Sequence, residues 1–320
     1  MWRCTDRPNQ SGFGGGGNPE LTPGSFLFNA DNILWQNSQM QPIGGMDRIW
    51  QRLLVQRISS GALNLRPNDP RLPGLIGRND RYVGDLALLN HRVTHIDGTD
   101  TKIRIRFERT NAQGTVVEKG VESADFCIST MAPNLLANVW NQGRPADDFK
   151  KALAAVAQTP AIKVGWQGKS RFWEKENHIY GGISWTDDDI GQIWYPSEDF
   201  NAPTGVLTGA YNRGPTAEKF GKLTQAERIK KALRDGNALH PGFPDKVYAD
   251  KGVTIAWHNM PFQVGGWAGL TAVTQPDVYR TIIKPQGRLY AAGDAYSYLP
   301  GWLEGAVTSV DKAIAALPSG

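Results

Sequence analysis

The chain has 320 residues, of which 40% are hydrophobic and 21% charged, so it is long enough for one large domain or two of typical size. This composition excludes a disordered chain, a collagen-like repeat and a small disulfide scaffold. The 35 basic and 31 acidic residues leave a net charge of +4, and several arginines cluster between prolines at 66–81. Because no nucleic-acid module or aromatic interleaving accompanies that cluster, we expect a solvated loop and no nucleic-acid partner.

The sequence predicts neither a membrane span nor a secretory leader. It contains no run of about 18 apolar residues, and its first residues lack the apolar stretch of a signal peptide. Its two cysteines, Cys4 and Cys127, are too far apart for a zinc-ligand or CxxC motif. Together these features predict a cytoplasmic protein in which Cys127, inside an apolar run, is an inert core residue.

Glycines and prolines dominate residues 11–24, which show no core-forming pattern. Gly12, Gly14 and Gly17 match the G-x-G-x-x-G motif of dinucleotide-binding proteins. No apolar strand precedes them, and Pro19 and Pro23 follow where a helix should begin. We therefore interpret the match as accidental.

The next segments alternate between helical and extended patterns. An amphipathic helix is predicted from Met46 to Arg57. Strands are predicted at 85–90, 92–96 and 103–107, with a return strand from residue 116. A buried strand at 125–130 is predicted to end in a loop at Pro133.

The second half begins with an alanine-rich helix predicted at 147–158. Short strands are predicted at 161–166, 180–185, 192–195 and 253–257. Thr224 and Glu227 form a capping-box pattern that predicts a helix through about Leu239. An apolar helix is predicted from about Glu304 to Leu317.

A strand, an acidic residue and a glycine-bracketed helix follow one another near the C-terminus. The buried strand ends at Gly293 and Asp294, and the next helix starts near residues 301–306. The helix start offers free N–H groups, Gly305 allows close backbone approach, and a carboxylate can accept from sugar hydroxyls. This pattern predicts a site for a polar cofactor.

Lys163 lies within the apolar run at 161–164 and has two interpretations. It is either a strand-edge residue that points to water or an inward lysine whose amine holds a water beside a reacting group.

Tyr195 and Trp302, with Trp185, Trp194 and Trp267, either pack in a core or form the wall of an apolar ligand site. His91 and His95 lie in a predicted strand, so their spacing does not indicate a metal site.

Several of these segments resemble the flavin-dependent amine oxidase superfamily. The stretches GRLYAAGD (287–294) and GWLEGA (301–306) are similar to its C-terminal FAD motif. IKV (162–164), RFWE (171–174), GG (181–182) and WYPS (194–197) are similar to the substrate domain of its L-amino-acid oxidase and amino-acid monooxygenase branch. QPIGGMD (41–47) and FCISTMAP (126–133) look like middle segments of the FAD domain, so the resemblance covers about residues 40–320.

The resemblance implies an α/β (α+β) fold with two domains, one that binds FAD and a sheet-based one that binds substrate. Residues 1–39 would be a flexible segment, 40–150 and 266–320 the FAD-binding domain, and 151–265 the substrate domain. The family's N-terminal glycine-rich dinucleotide segment is not recognisable here. The resemblance therefore implies that this part is absent or supplied by a separate chain, and we also expect a homo-oligomer.

The resemblance implies three catalytic roles. Lys163 would hold a water near flavin N5, Tyr195 would donate its hydroxyl to the substrate carboxylate, and Trp302 would be an aromatic wall beside the substrate. The reaction would be oxidation of an L-amino acid by O2, which yields an imino acid and then a 2-oxo acid, ammonia and hydrogen peroxide. An amino-acid 2-monooxygenase that gives an amide, an amine oxidase and a non-catalytic subunit are the alternatives.

The same resemblance implies a set of cofactor contacts. Asp294 would contact the ribityl or pyrophosphate region, and backbone groups near Leu303 would face the flavin O2 edge. Gly266 and Trp267 would lie beside the isoalloxazine, and since no cysteine is near them the FAD would be non-covalent. The other implied FAD contacts are Gly44, Gly45, Met46, Gly293, Gly305 and the backbone of Val93, which would face the adenine.

Overall fold

The structure is a computed structural model that describes residues 46–55, 87–98, 101–141, 148–269 and 271–318. The described residues divide into two compact units. The larger contains 95–98, 101–105, 122–141, 148–269 and 271–318, and the smaller contains 46–55, 87–94 and 106–121.

Helix α1 (Asp47–Leu54) belongs to the smaller unit and confirms the helix predicted there. It buries none of its side chains. The strand predicted at 85–90 is wrong over its described part, because 87–90 form a loop and a turn. Asn90 adopts a left-handed conformation with φ 61°. Asparagine tolerates that conformation better than most residues, so the chain turns here before it enters the first strand.

The first sheet contains β1 (His91–Gly98), β2 (Ile103–Thr110) and β3 (Val116–Ala124) in the order β1-β2-β3. Ile103 and Phe107 are buried, as the alternating pattern of β2 predicts. Gly120 of β3 lies against the Phe107 ring so closely that a Cβ would clash with it.

A parallel pair of short strands stands ahead of the C-terminal helix. β4 (Cys127–Ser129) pairs with β12 (Leu289–Ala291), with Cys127 opposite Leu289. Cys127 is half-buried, and burial raises the pKa of its thiol to about 11. The loop predicted at Pro133 is wrong. Pro133 instead begins helix α2 (Pro133–Val139), because proline fits the first helical position.

The centre of the larger unit is a five-stranded antiparallel sheet in the order β10-β6-β9-β8-β7. Its strands are β6 (Ala161–Gln167), β7 (Gly182–Trp185), β8 (Gln192–Tyr195), β9 (Val206–Arg213) and β10 (Val253–Ala256). Four of these are predicted by the sequence, whereas no strand is predicted at β9. The two-stranded pair of β5 (Gln158–Thr159) and β11 (Trp267–Ala268) completes the strands.

One face of the five-stranded sheet carries the main hydrophobic core. Ile162, Val164 and Trp166 of β6 pack there with Phe220 and Phe243 from the covering helices. The capping box at Thr224 and Glu227 is present, although its helix ends at Gly236, earlier than predicted. The remaining helices are α3 (Asp148–Ala155), α4 (Phe172–Lys175), α5 (Gly214–Gly221), α6 (Gln225–Gly236), α7 (Phe243–Lys246), α8 (Thr271–Thr274), α9 (Pro276–Ile282) and α10 (Leu303–Ala315).

Candidate active site

The face of the sheet opposite the core brings Lys163 next to Tyr211. Lys163 of β6 is the register partner of Tyr211 in β9, and its Nζ lies 4.8 Å from the centre of the tyrosine ring. Since side chains alternate along a strand, Arg213 lies on the same face as Tyr211. Trp194 of β8 joins them, with its ring 5.8 Å from that of Tyr211.

A pocket of about 170 Å³ opens over this face. Three separate parts of the chain form its wall: the sheet, the residues around β11, and the loop before α10. The lining residues are Trp194, Tyr211, Arg213, Trp267, Pro300, Gly301 and Trp302. Two sequence-predicted residues, Trp267 and Trp302, therefore meet in one pocket that has mostly aromatic walls.

Glycines allow the close packing of this wall. Gly266 donates its N–H to the carbonyl of Thr159 at 2.8 Å, and a Cβ there would lie 2.8 Å from Cβ of Ala161. Gly301 has φ 84°, which favours glycine, and its Cβ position is 3.4 Å from Trp267. The role of Gly266 in the structure is therefore to let β11 approach the sheet.

Lys163 combines features of both interpretations given for it. Its side chain is exposed, as expected for an outward-facing strand residue. Its ammonium nevertheless lies over the Tyr211 ring, beside the pocket, and the loss of hydration at that end of the side chain lowers the pKa of Lys163. The lysine is therefore placed next to the pocket and is easier to deprotonate than a fully solvated one.

Tyr195 lies on the opposite face of the sheet from this pocket. It is buried in the hydrophobic core, where its hydroxyl donates to Oγ of Ser184 at 2.8 Å and lies 2.5 Å from Nε2 of His240. Burial raises the pKa of Tyr195 to about 12. The structure therefore does not bring this hydroxyl to the pocket, because neighbouring residues of a strand point to opposite faces and Trp194 takes the pocket side.

Arg213 is a pocket residue that the sequence analysis does not identify. Its guanidinium lies 5.5 Å from the Tyr211 ring centre and 5.8 Å from the Trp267 ring centre. Burial lowers the pKa of Arg213, though an arginine stays charged at neutral pH. The signal that could have found it is the strand β9. Had the sequence predicted this strand, the alternation of its side chains would have placed Tyr211 and Arg213 on the same face.

Tyr211 and Arg213 also border a second, larger cavity of about 510 Å³. Its wall includes Trp185 and Gln192 from the sheet edge and Asp187 from the loop between β7 and β8. The two cavities share this tyrosine and this arginine as a common wall.

The C-terminal motif forms the predicted strand, turn and helix. Gly293, with φ 130°, donates its N–H to Oγ of Ser309 at 2.7 Å. Asp294 follows it and accepts from the N–H of Gly301 at 2.6 Å. The carboxylate thus ties the end of β12 to the loop that carries Trp302.

The first turn of α10 has backbone N–H groups that make no hydrogen bond within the described chain. Its N-cap residue, Trp302, makes no side-chain capping bond, and within the described chain the N–H groups of Leu303, Glu304 and Gly305 meet no acceptor. Such groups, together with Asp294, fit the polar oxygens and hydroxyls of a flavin cofactor. Gly305 allows a close approach of the chain itself, since a Cβ there would clash with the carbonyl of Leu299 and Oγ of Ser297.

Four further sequence-predicted FAD contacts lie in other parts of the chain and remain predictions. Gly44 and Gly45 lie outside the described residues. Met46 is exposed beside α1 and Val93 is half-buried in β1, and both belong to the smaller unit. Among the described residues no cluster of histidine, cysteine and carboxylate side chains could hold a metal ion, and no helix is long and apolar enough to cross a membrane.

The family model for flavin-containing amine oxidoreductases matches residues 81–313. The chain belongs to this family. The match includes the whole five-stranded sheet, the pocket and most of α10. It supports a flavin as the cofactor and confirms the family resemblance of the sequence motifs.

Curated relatives in this family act on amino acids. The chain is 26% identical to a flavin-dependent L-tryptophan oxidase from Lentzea aerocolonigenes over 285 residues, which is 83% of this chain and 58% of that protein. It is 30% identical to an L-amino-acid oxidase from Siganus canaliculatus over 230 residues, 71% of this chain and 42% of the relative. The chain thus spans about half the length of these relatives.

Solved structures confirm the fold. A putrescine oxidase variant matches with a TM-score of 0.58 at 16% identity and covers 73% of this chain and 50% of the other. Cyclohexylamine oxidase from Brevibacterium oxydans matches with a TM-score of 0.56, also at 16% identity, over 70% of this chain and 47% of that one. The mixed helix-and-sheet architecture is that of flavin amine oxidases.

Proposed function

We propose that this chain takes part in the FAD-dependent oxidation of an L-amino acid. The amino acid, O2 and water would give a 2-oxo acid, ammonia and hydrogen peroxide, with the imino acid as the product that water hydrolyses. The observation that carries the proposal is the pocket that Trp267, Trp302 and Tyr211 line together, with Lys163 next to Tyr211. The amino-acid oxidases among the relatives support the substrate class.

FAD, bound without a covalent link, would supply the redox chemistry by accepting a hydride from the α-carbon and passing the electrons to O2. The unpaired N–H groups at the start of α10 and the Asp294 carboxylate are the described residues suited to hold it. We propose that 40–150 and 266–320 form the FAD-binding domain and 151–265 the substrate domain. The parallel pair β4 and β12 ahead of α10 and the separate five-stranded sheet support this division.

The pocket residues would orient the substrate and control water. Trp302 and Trp267 offer flat apolar surfaces that restrict the position of the amino-acid side chain. Lys163 would hold a water at the edge of the pocket, and its lowered pKa allows the amine to accept or release a proton more easily than a solvated lysine. Because the Tyr195 hydroxyl is engaged by Ser184 and His240, we propose that a pocket-facing group binds the substrate carboxylate in its place.

We further propose that the protein forms a homo-oligomer, and that a separate chain supplies the N-terminal part of the FAD-binding site. Leu303, Val307 and Ile314 are exposed along α10, which supports an additional contact there. Light scattering measures the mass of the particles in solution. The purified protein alone tests the homo-oligomer, and its mixture with candidate partner chains tests the separate chain.

The test of the reaction is a visible absorption spectrum of the purified protein, recorded before and after anaerobic addition of mixed L-amino acids. We expect a flavin band that L-amino acids bleach and D-amino acids do not. A flavin-loaded protein that no amino acid bleaches would contradict the proposal. After air is admitted, a 2-oxo acid identifies an oxidase, whereas an amide identifies the monooxygenase alternative.

A further inference from the structure

Arg213 carries a charge that the described protein does not neutralise. Its side chain is half-buried, and within the described ranges no carboxylate lies at ion-pair distance from it. Three aspartates at 187–189 line the larger cavity together with Arg213, but none of them lies at ion-pair distance from it, and Asp189 pairs instead with Lys219 at 3.0 Å and Lys231 at 2.9 Å. A charge that loses hydration without gaining an anionic partner is costly, so this position favours an anion from outside.

The surroundings of Arg213 indicate which kind of molecule would bring that anion into the pocket. The guanidinium lies near the rings of Tyr211 and Trp267, at 5.5 and 5.8 Å from their centres. These contacts restrict the plane of the guanidinium, whose paired N–H groups match the two oxygens of a carboxylate. The remaining walls of the pocket are mostly aromatic and suit an apolar body.

We propose that Arg213 binds a carboxylate of the substrate and thereby makes the pocket selective for carboxylate-bearing amines. This rests on the proposed function, because it assigns the ligand of the same pocket. Two carboxylates can meet it: the α-carboxylate of any amino acid, or the side-chain carboxylate of an acidic one. The position of Arg213 between the two cavities is compatible with either.

Ligand binding can be measured without turnover, because three tryptophans line the pocket and their fluorescence responds to a bound ligand. The probes are L-phenylalanine, phenylethylamine, L-glutamate and L-glutamine. The variants are Arg213→Met, Arg213→Lys and, as a surface control with the same loss of charge, Lys284→Met. Circular dichroism of each variant verifies that the fold is kept.

We expect Arg213→Met to weaken binding of a carboxylate ligand at least about tenfold, the equivalent of one charge-assisted hydrogen bond. Arg213→Lys should restore part of the affinity, and Lys284→Met should match the parent. A loss for L-phenylalanine and L-glutamine, with phenylethylamine unchanged, identifies the α-carboxylate. A loss confined to L-glutamate identifies the side-chain carboxylate.

Equal affinities of the parent and Arg213→Met for all four probes would overturn the role of Arg213. If amino acids still bleach the flavin in that case, the proposed reaction stands without it. A parent protein that binds none of the probes, measured with its flavin in place, would overturn both the carboxylate site and the assignment of this pocket to the substrate.

Discussion

The hydroxyl of Tyr195 lies 2.5 Å from Nε2 of His240, on the face of the five-stranded sheet opposite Lys163. This contact joins β8 to the residues that precede α7, and Ser184 completes it from β7 at 2.8 Å. Tyr195 follows the pocket-lining Trp194 in sequence, but its hydroxyl is a polar group within the core.

Tyr195→Phe should lower stability more than it changes ligand binding. The substitution removes the hydroxyl and leaves His240 without that partner, so we expect a loss of about 1–3 kcal/mol in the free energy of unfolding. Urea unfolding measures this change, and tryptophan fluorescence measures the affinity for L-phenylalanine. A large loss of affinity with unchanged stability would mean that the hydroxyl reaches the substrate.

His240 should make the protein sensitive to acid. Burial, with a smaller effect from Lys246, lowers the pKa of His240 from 6.5 to about 4, and its Nδ1 is buried without a hydrogen-bond partner. Between those pH values the unfolded chain binds the proton and the folded one does not, so the free energy of unfolding falls as the pH decreases from 6.5 towards 4. His240→Gln should reduce the slope of the free energy of unfolding against pH in this range, by the equivalent of up to about one bound proton. Urea unfolding at several pH values checks this, and an unchanged slope in the variant would contradict it.

Lys163→Met should slow flavin reduction or reoxidation and leave the fold intact. The amine lies over Tyr211 beside the pocket, and its side chain is exposed, so the substitution removes a proton-exchanging group without opening a cavity. Stopped-flow absorbance follows both half-reactions. Lys169→Met, at the exposed far end of the same strand region, is the matched control. Identical rate constants in Lys163→Met and the parent would remove Lys163 from the mechanism.

Trp302→Ala should weaken substrate binding and retain the flavin. The indole forms one wall of the 170 Å³ pocket, so we expect its loss to reduce affinity by about tenfold. Fluorescence titration and the flavin absorbance per protein give the two quantities. Trp50→Ala, on the exposed helix α1, controls for the loss of a tryptophan signal. Loss of flavin in Trp302→Ala would instead assign the indole a structural role at the start of α10.

A buried ion pair offers a test of what stabilises the larger unit. Arg171 Nε donates to Oε1 of Glu174 at 2.6 Å, and Oε2 of Glu174 accepts from the N–H of Asn201 at 2.9 Å. Both charged side chains are almost fully buried, at 2% and 3% exposure. Glu174→Ala leaves the arginine charge uncompensated, so we expect a loss of about 3–5 kcal/mol in the free energy of unfolding.

The control for that experiment is Asp277→Ala, whose carboxylate pairs with Arg280 but is 91% exposed. An exposed pair contributes at most about 1 kcal/mol. Similar losses in the two variants would show that burial does not decide the strength of the Arg171–Glu174 pair.

The sequence predicted most elements of the larger unit. Alternation and apolar runs identified β6, β8 and β10, and the Thr224–Glu227 pattern identified the start of α6. It did not identify β9, whose residues Thr208, Gly209 and Asn212 interrupt the apolar pattern. Gly209 in fact leaves room for the Trp166 ring, a reason that only the packed structure reveals.

The sequence indicated several residues of the candidate site, but it did not indicate which face of the sheet each side chain points to. The resemblance of the sequence motifs indicated the family, which the family model confirms, and the sequence pattern predicted the C-terminal strand, turn and helix. The roles of Lys163, Trp267 and Trp302 remain predictions. The tertiary structure decided that Trp194 and not Tyr195 faces the pocket, and that Arg213 joins it. Strand register and the face covered by helices set these directions, and both depend on contacts between residues far apart in the chain.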